Sequence, residues 1–116
     1  DVDVGRGRRV GFEDAAAHLL ALGVQEVVVT LGAAGSALFT TAGRLDAPGF
    51  SVPVVDTTGS GDCFHAAYLA ARQAGLQGVE RLRFANAAAA LKVQHLGARG
   101  GLPNFIEVES FLAQHG

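Results

Sequence analysis

The most informative stretch of the sequence is Asp56-Thr57-Thr58-Gly59-Ser60-Gly61-Asp62-Cys63-Phe64, which joins an extended segment to a predicted helix. Two glycines, Gly59 and Gly61, free the backbone to turn where that helix begins. Amides in the first turn of a helix have no partner within it, and the helix dipole adds positive charge there. We therefore expect the amides of residues 59–62 to converge on one point and to bind an anion such as a phosphate group.

A carboxylate, that of Asp62, stands beside this predicted anion site. A phosphate would repel it, so its presence suggests a general base that takes a proton from an attacking hydroxyl group. The alternative is an ordinary acidic residue at a helix start, preceded by a tight glycine turn. Residue types alone leave both interpretations open. Cys63, the next residue, is interpreted as a small packing residue, with a reactive thiol as the alternative.

Outward from this stretch, the pattern of apolar residues predicts an α/β layered fold in one domain, with helices over a partly parallel sheet. The β-branched run Val27–Leu31 is expected to be an interior strand, buried on both faces. Residues Asp1–Val10 are expected to form an irregular lead-in. The other predicted elements are a helix from Phe12 to Gly23, a strand Ser36–Thr40, an extended piece Val52–Val55, and helices Asp62–Gly75, Val79–His95 and Ile106–Gln114.

Composition narrows the classes of function. The chain has 116 residues, with 9 basic and 11 acidic side chains and a net charge of −2, which gives no footprint for nucleic acid or for an anionic membrane. No apolar run approaches the roughly 18 residues that span a bilayer. Cys63 is the single cysteine, so an internal disulfide and a multi-cysteine zinc site are excluded. We expect a cytoplasmic location.

Three common ligand-binding and catalytic motifs are absent from the sequence. The single lysine, Lys92, follows Leu91, so there is no phosphate-binding Gly-Lys-Ser/Thr. Ser60 has Thr58 two places before it, so it does not lie in the Gly-x-Ser-x-Gly of a nucleophile elbow. The glycines near the N-terminus do not complete a dinucleotide fingerprint.

Four segments together resemble the ribokinase-like (PfkB) carbohydrate kinases. Residues Asp56–Phe64 are similar to the family's C-terminal signature, Asp-Thr-x-Gly-Ala-Gly-Asp-x-Phe. The segment Val28–Gly35 resembles its strand and glycine turn beside the nucleotide, Arg83–Ala90 resembles its alanine-rich helix, and Gly97-Ala98 with Pro103 resembles its closing loop. Order and spacing match from about residue 12 onward.

This resemblance implies the C-terminal part of a ribokinase-like layered α/β/α fold that transfers a phosphoryl group from ATP, with Mg²⁺, to a hydroxyl of a sugar or nucleoside-type substrate. It implies that Asp62 is the catalytic base and that the amides of Gly59, Ser60, Gly61 and Asp62 form the anion hole. The implied nucleotide-binding residues are Thr30, Leu31, Gly32, Ala33, Ala34, Gly35, Gly61 and Asn86. A potassium site, which many members have, would fall at Asp56, Thr58, Lys92, His95, Gly97 and Gly101.

Two departures from the family pattern are Ser60, in place of the usual alanine, and His65, where asparagine is common. Ser60 leaves the amide intact. His65 lies one turn after Asp62, where it either tunes the base or touches substrate, or simply packs.

Family members are substantially longer. We expect residues 1–116 to be the C-terminal nucleotide-binding and catalytic part of a kinase, without the N-terminal sugar-binding part and lid. The alternative is a non-catalytic remnant that binds nucleotide or a partner chain. An incomplete sheet would leave an open edge, which favours association of the chain into a homo-oligomer.

Overall fold

The structure is a computed structural model that describes residues 2–4, 8–10, 12–94 and 103–115. Its regular elements follow the predicted order of helix, strands and helices, preceded by a short hairpin. They are β1 (Val2–Val4), β2 (Arg8–Val10), α1 (Phe12–Ala21), β3 (Glu26–Thr30), β4 (Ser36–Thr40), β5 (Gly43–Ala47), α2 (Ser60–Gln73), α3 (Val79–Val93) and α4 (Phe105–His115). Within these ranges, no helix combines the length and the apolar character needed to cross a membrane.

The expectation of a partly parallel sheet is wrong for the strands that the structure describes. Strands β3, β4 and β5 form a sheet in that order, and both pairings are antiparallel. The physical reason is the length of the connections. Residues 31–35 join β3 to β4 and residues 41–42 join β4 to β5, whereas a parallel pair needs a crossover of about a dozen residues or more.

The expectation of an irregular lead-in at Asp1–Val10 is also wrong. Strands β1 and β2 pair antiparallel, with Val2 opposite Val10 and Val4 opposite Arg8. Valine alternates with aspartate at the start of the chain, which is the period of a strand, but three residues are too few for that pattern to be recognised.

Successive strand residues point to opposite faces of the sheet, and this places a helical layer on each face. On one face, Ala37 and Phe39 of β4 pack with Ala16 of α1. On the other face, Leu38 packs with Phe64 of α2, in a cluster that also contains residues of α3. The predicted layered α/β/α fold is therefore confirmed.

The most buried strand is β4 rather than the valine-rich β3. Residues 36–39 are buried, whereas the three valines of β3 are half-buried. The expectation that Val27–Leu31 is an interior strand is wrong for the described chain. The strand begins and ends one residue earlier, at Glu26–Thr30, and its one described partner is β4. Strand β4 instead has a neighbour on each side and helices on both faces.

Helix α2 packs along α3 through small side chains. Ala71 of α2 and Ala85 and Ala87 of α3 are 0% exposed. Because alanine has no side chain beyond Cβ, the two helices approach closely, as the alanine-rich sequence of α3 suggests. Helix α4 then covers the same cluster with Val108 and Phe111.

The single cysteine belongs to this helical interface. Cys63 is 2% exposed, and its thiol donates a hydrogen bond to the Ala88 carbonyl at 3.5 Å. Burial raises the pKa of the thiol above its usual value of 9.0, and the charge of Lys92 opposes that rise only in part. Since the thiolate is the nucleophilic form, Cys63 has the environment of a packing residue.

We expect the free energy of unfolding to fall as the pH rises past 9, and Cys63→Ala to make that fall shallower. Because the folded thiol has the higher pKa, the unfolded chain loses a proton above pH 9.0 that the folded chain keeps. The stability that comes from this difference in pKa is fully present below the pKa of the thiol in the unfolded chain. It is lost as the pH rises through the pKa of the thiol in the folded chain. It changes by at most about 1.4 kcal/mol per pH unit. Urea unfolding across this range measures it.

Tyr68→Phe is the matched control, because the pKa of the Tyr68 hydroxyl is raised from 10.0, chiefly by burial. Its effect on the pH dependence should therefore appear only above pH 10. An identical slope between pH 9 and pH 10 in wild type and Cys63→Ala would contradict this account of the cysteine.

Candidate functional site

The loop before α2 is held by hydrogen bonds among its own residues. The Asp56 carboxylate accepts from the backbone N–H of Thr58 at 2.8 Å and from the Thr58 hydroxyl at 2.7 Å. The Ser60 N–H donates to the Thr57 carbonyl at 3.1 Å. Gly59 has φ of 77°, a left-handed conformation that favours glycine, and α2 begins at the next residue. The motif thus fixes where the first turn of α2 stands.

Three of the four backbone amides of residues 59–62 have no hydrogen-bond acceptor among the described residues. The Cys63 N–H makes the first helical bond, to the Gly59 carbonyl at 2.9 Å, and the Ser60 N–H is used by Thr57. In the described part of the chain, the N–H groups that remain without a backbone acceptor are those of Gly59, Gly61 and Asp62. A Cβ added at Gly61 would meet no atom within 4 Å, so the space beside the Gly61 Cα is open.

The Asp62 side chain is exposed at the first turn of α2. Among the described residues, none makes a hydrogen bond or ion pair with its carboxylate, and a ligand can reach it from solvent. His65 is exposed as well, and its ring packs edge-on against Phe64, with ring centroids 5.4 Å apart. This contact agrees with the interpretation of His65 as a packing residue, and a role in tuning Asp62 stays a prediction.

The predicted nucleotide turn connects β3 to β4. A single 3-10 turn covers Gly32–Ala34, and the Leu31 N–H donates to the Gly35 carbonyl at 2.8 Å. Gly35 has φ of 110°. Its N–H donates to the Gly32 carbonyl at 3.1 Å, so the turn closes on itself.

Two glycines, Gly35 and Gly49, allow this turn to touch the loop after β5 backbone to backbone. A Cβ on Gly35 would lie 2.6 Å from the Gly49 nitrogen and 2.7 Å from the Pro48 carbonyl carbon. A Cβ on Gly49 would overlap the carbonyl of Ala33. The Gly49 N–H donates to the Ala34 carbonyl at 3.3 Å, which locks the two segments together.

A cavity of about 500 Å³ lies between this turn, the loop at residues 49–54, the start of α2 and the face of α3. This volume falls in the range of small-molecule sites, roughly 300–1,000 Å³. Of the predicted catalytic and nucleotide-binding residues, those that line the cavity are Thr30, Gly32, Ala33, Gly35, Ser60, Gly61 and Asn86. Those that do not line it are Leu31, Ala34, Gly59 and Asp62.

Several residues of the cavity wall were not predicted from the sequence. One group lies in the loop after β5, and the other lies on α3. They are Gly49, Phe50, Ser51, Val52 and Val54, with Ala89, Ala90 and Val93. A signal for the loop was present, because Pro48-Gly49 marks a turn and apolar residues follow it at positions 50, 52 and 54.

The side chain of Asn86 is engaged inside the protein. Its Oδ1 accepts from the Ser36 hydroxyl at 2.9 Å, and its Nδ2 donates to the carbonyls of Ala47 at 3.1 Å and Pro48 at 3.2 Å. It thereby ties α3 to β4 and to the end of β5. Its predicted contact with a nucleotide stays a prediction, and its position in the cavity wall agrees with it.

Three of the six positions of the predicted potassium site, His95, Gly97 and Gly101, lie outside the described residues. The Val93 carbonyl accepts from the N–H groups of Val55 at 2.7 Å and Asp56 at 3.0 Å, which draws the loop at 55–58 to the end of α3. Lys92, at that end, is 2% exposed. The ammonium group of Lys92 would repel a second cation near it. Since His95, Gly97 and Gly101 are not described, the potassium site stays a prediction.

The sequence profile of the pfkB family carbohydrate kinases matches residues 11–104. Ribokinase from Bacillus subtilis (strain 168) is 42% identical over 94 residues, which are 81% of this chain and 32% of that protein.

Solved structures agree in fold. A ribokinase II candidate from E. coli in complex with ATP and Mg²⁺ has a TM-score of 0.87 at 36% identity, over 92% of this chain and 35% of that one. Arabidopsis thaliana ribokinase complexed with ribose and ATP has a TM-score of 0.80 at 42% identity, over 86% of this chain and 33% of that one. The chain spans about a third of the length of these relatives.

Replacement of Gly35 tests the contact between the turn and the loop. Gly35→Ala should lower the free energy of unfolding by about 3 kcal/mol or more, because the methyl group adds a backbone clash to the strain of a positive φ. Gly43→Ala is the matched control, since its φ of 136° is also positive and a Cβ there meets no atom within 4 Å. It should cost about 1–2 kcal/mol from strain alone. Equal losses in urea unfolding would show that the close approach does not constrain the turn.

Proposed function

Because the chain belongs to the pfkB family of carbohydrate kinases, we propose that residues 1–116 are the C-terminal nucleotide-binding and catalytic part of a sugar kinase. The reaction is transfer of the γ-phosphoryl group of ATP to a hydroxyl group of a sugar or nucleoside-type substrate. ATP and ribose are named for the related Arabidopsis thaliana structure, which supports this class of donor and acceptor.

The observation that carries the proposal is the cavity that connects the glycine turn to the start of α2. Gly32 and Gly35 lie on one side of it and Gly61 lies on another, although they are distant in sequence. A nucleotide needs two kinds of surface in its binding site. Its base needs an apolar surface to pack against, and its phosphates need amide donors.

The phosphate end of the nucleotide would lie against the first turn of α2. The N–H groups of Gly61 and Asp62 are available there, and the helix dipole adds to their attraction for an anion. These donors are fixed before the reaction begins. They would therefore stabilise charge on the transferring phosphoryl group without a cost of reorganisation.

Asp62 would act as the general base from the outer side of this helix start. Its carboxylate is exposed and does not line the cavity. A substrate hydroxyl could therefore approach it from outside the cavity while the adenine of ATP occupies the cavity. The hydroxyl proton passes to Asp62 as the new O–P bond forms. The bond between the γ-phosphorus and the β–γ bridging oxygen breaks, and ADP leaves.

Mg²⁺ would be held mainly by the nucleotide's own phosphate oxygens, with water molecules and at most one or two carboxylates. This fits the chain. Across the described ranges, there is no group of three or more His, Cys, Asp or Glu side chains that could hold a metal ion by itself. The ion would supply charge neutralisation between the β- and γ-phosphates.

A cytoplasmic location and self-association stay predictions. Strand β3 has one described partner, and Leu22 and Val24 just before it are 69% and 43% exposed. An open edge with apolar side chains beside it is a surface that another chain or another part of a longer chain can cover.

Asp62→Asn is the direct test of the proposed base. In the kinase that contains this chain, we expect kcat to fall about 10²–10⁴-fold, because the amide keeps the shape but cannot take the proton. ATP affinity should stay the same or rise slightly, since one negative charge leaves the phosphate site. Steady-state kinetics and calorimetric ATP titration measure the two effects separately.

Gly61→Val should act differently, by filling the open space beside the Gly61 Cα at the cavity and weakening ATP binding. The position has no positive φ, so the fold tolerates the change. Ala70→Val, at an exposed position further along α2, is the control for the substitution itself. Near-full turnover of Asp62→Asn would exclude Asp62 as the base. Wild-type ATP binding without any phosphoryl transfer would favour the alternative of a non-catalytic remnant.

A further inference from the structure

The cavity wall includes a loop whose middle is not fixed by backbone hydrogen bonds. Its first end is held by the Gly49 N–H on Ala34 at 3.3 Å, and its far end by the Val55 N–H on Val93 at 2.7 Å. Between these ends, no described hydrogen bond involves residues 50–54. The position of the wall therefore depends on where its side chains pack.

Phe50 is the aromatic side chain of that loop, and it is half-buried in a groove between α3 and α4. Its ring meets the ring of Phe111 at an interplanar angle of 85°, with centroids 5.1 Å apart. The guanidinium carbon of Arg83, on α3, lies 5.6 Å from the Phe50 centroid. Phe50 lines the cavity at the same time, so the groove and the cavity share one ring.

His115, in the last turn of α4, completes the support of this ring. Its imidazole stacks on Phe111 at 14°, with ring centroids 3.9 Å apart, and lies 6.2 Å from the Phe50 ring. Its Nδ1 is 3.0 Å from the Phe111 carbonyl oxygen, which holds the imidazole over the helix end. The last turn of α4 thus reaches the cavity wall through two aromatic contacts.

The wall that contains Phe50 is suited to the base rather than to the phosphates. Val52, Val54, Ala90 and Val93, which are apolar, line the same cavity as Phe50. The amide donors proposed for the phosphates belong to a different segment, the first turn of α2. An aromatic or apolar surface gains from contact with a planar base, whereas it offers a phosphate no partner.

We propose that Phe111 and His115 are positioning residues for Phe50, and that the last turn of α4 thereby sets the affinity of the cavity for the base of the nucleotide. This inference rests on the proposed function, since it takes ATP as the ligand. It adds that α4, which does not line the cavity, affects how tightly the base of the nucleotide binds and does not affect the binding of the phosphates.

The test compares calorimetric binding of ATP with binding of inorganic tripolyphosphate, which has the phosphates but no base. Phe50→Leu and His115→Ala should each weaken ATP binding about 2- to 10-fold, the worth of an aromatic contact, and leave tripolyphosphate binding unchanged. The test uses His115 rather than Phe111 because His115 is exposed and its replacement spares the core, whereas Phe111 is buried. The double variant Phe50→Leu/His115→Ala should bind ATP no more weakly than Phe50→Leu, because both changes remove one contact.

Phe84→Leu is the matched control for helix packing. Phe84 contacts Phe105 of α4 at a centroid distance of 4.7 Å, in the same interface between α3 and α4, but it does not line the cavity. It should lower the melting temperature and leave ATP affinity unchanged. Wild-type ATP affinity in His115→Ala, or additive losses in the double variant, would overturn the inference and leave the proposed function standing. Failure of the wild-type chain to bind ATP would overturn both.

Discussion

The buried amide of Asn86 is the interaction on which the geometry of the site depends. It joins α3 to Ser36 at the start of β4 and to the carbonyls of Ala47 and Pro48 at the end of β5. These two strand ends border the glycine turn and the loop that line the cavity. A buried amide with both ends satisfied resists displacement, because moving either partner leaves a polar group without a hydrogen bond. The contact between Gly35 and Gly49 then sets how closely the turn and the loop approach.

The sequence predicted the parts of the site that are local along the chain. Residues Asp56–Phe64 indicate the start of α2, because an aspartate, threonines and glycines in that order can make the turn without help from elsewhere. The turn Gly32–Gly35 is local in the same sense. The loop at Phe50–Val54 was missed because its place in the wall depends on α3 and α4, which are distant in sequence. The antiparallel directions of the strands depend on the short connections between them, which the apolar pattern of each strand does not show.

The burial of the strands shows a second limit of sequence reasoning. A run of valines in β3 suggested the interior of the sheet, whereas Ser36 and Ala37 of β4 are more completely buried. Small residues are placed there because helices cover both faces of β4 closely. Asn86 was placed in the site by its resemblance to a nucleotide contact, and the hydrogen bonds give it a structural role that no single-sequence pattern indicates.

In the proposed binding mode, one nucleotide lies across the glycine turn and the start of α2. Two-dimensional amide NMR of the chain during titration with ATP and Mg²⁺ tests it most directly, because Gly32, Gly35 and Gly61 each carry an amide at the cavity. We expect these three resonances to shift together with one dissociation constant. The resonances of Gly43 and Gly75, which do not line the cavity, should not shift. Shifts that spare Gly32, Gly35 and Gly61, or that follow different dissociation constants on the two sides of the cavity, would contradict it.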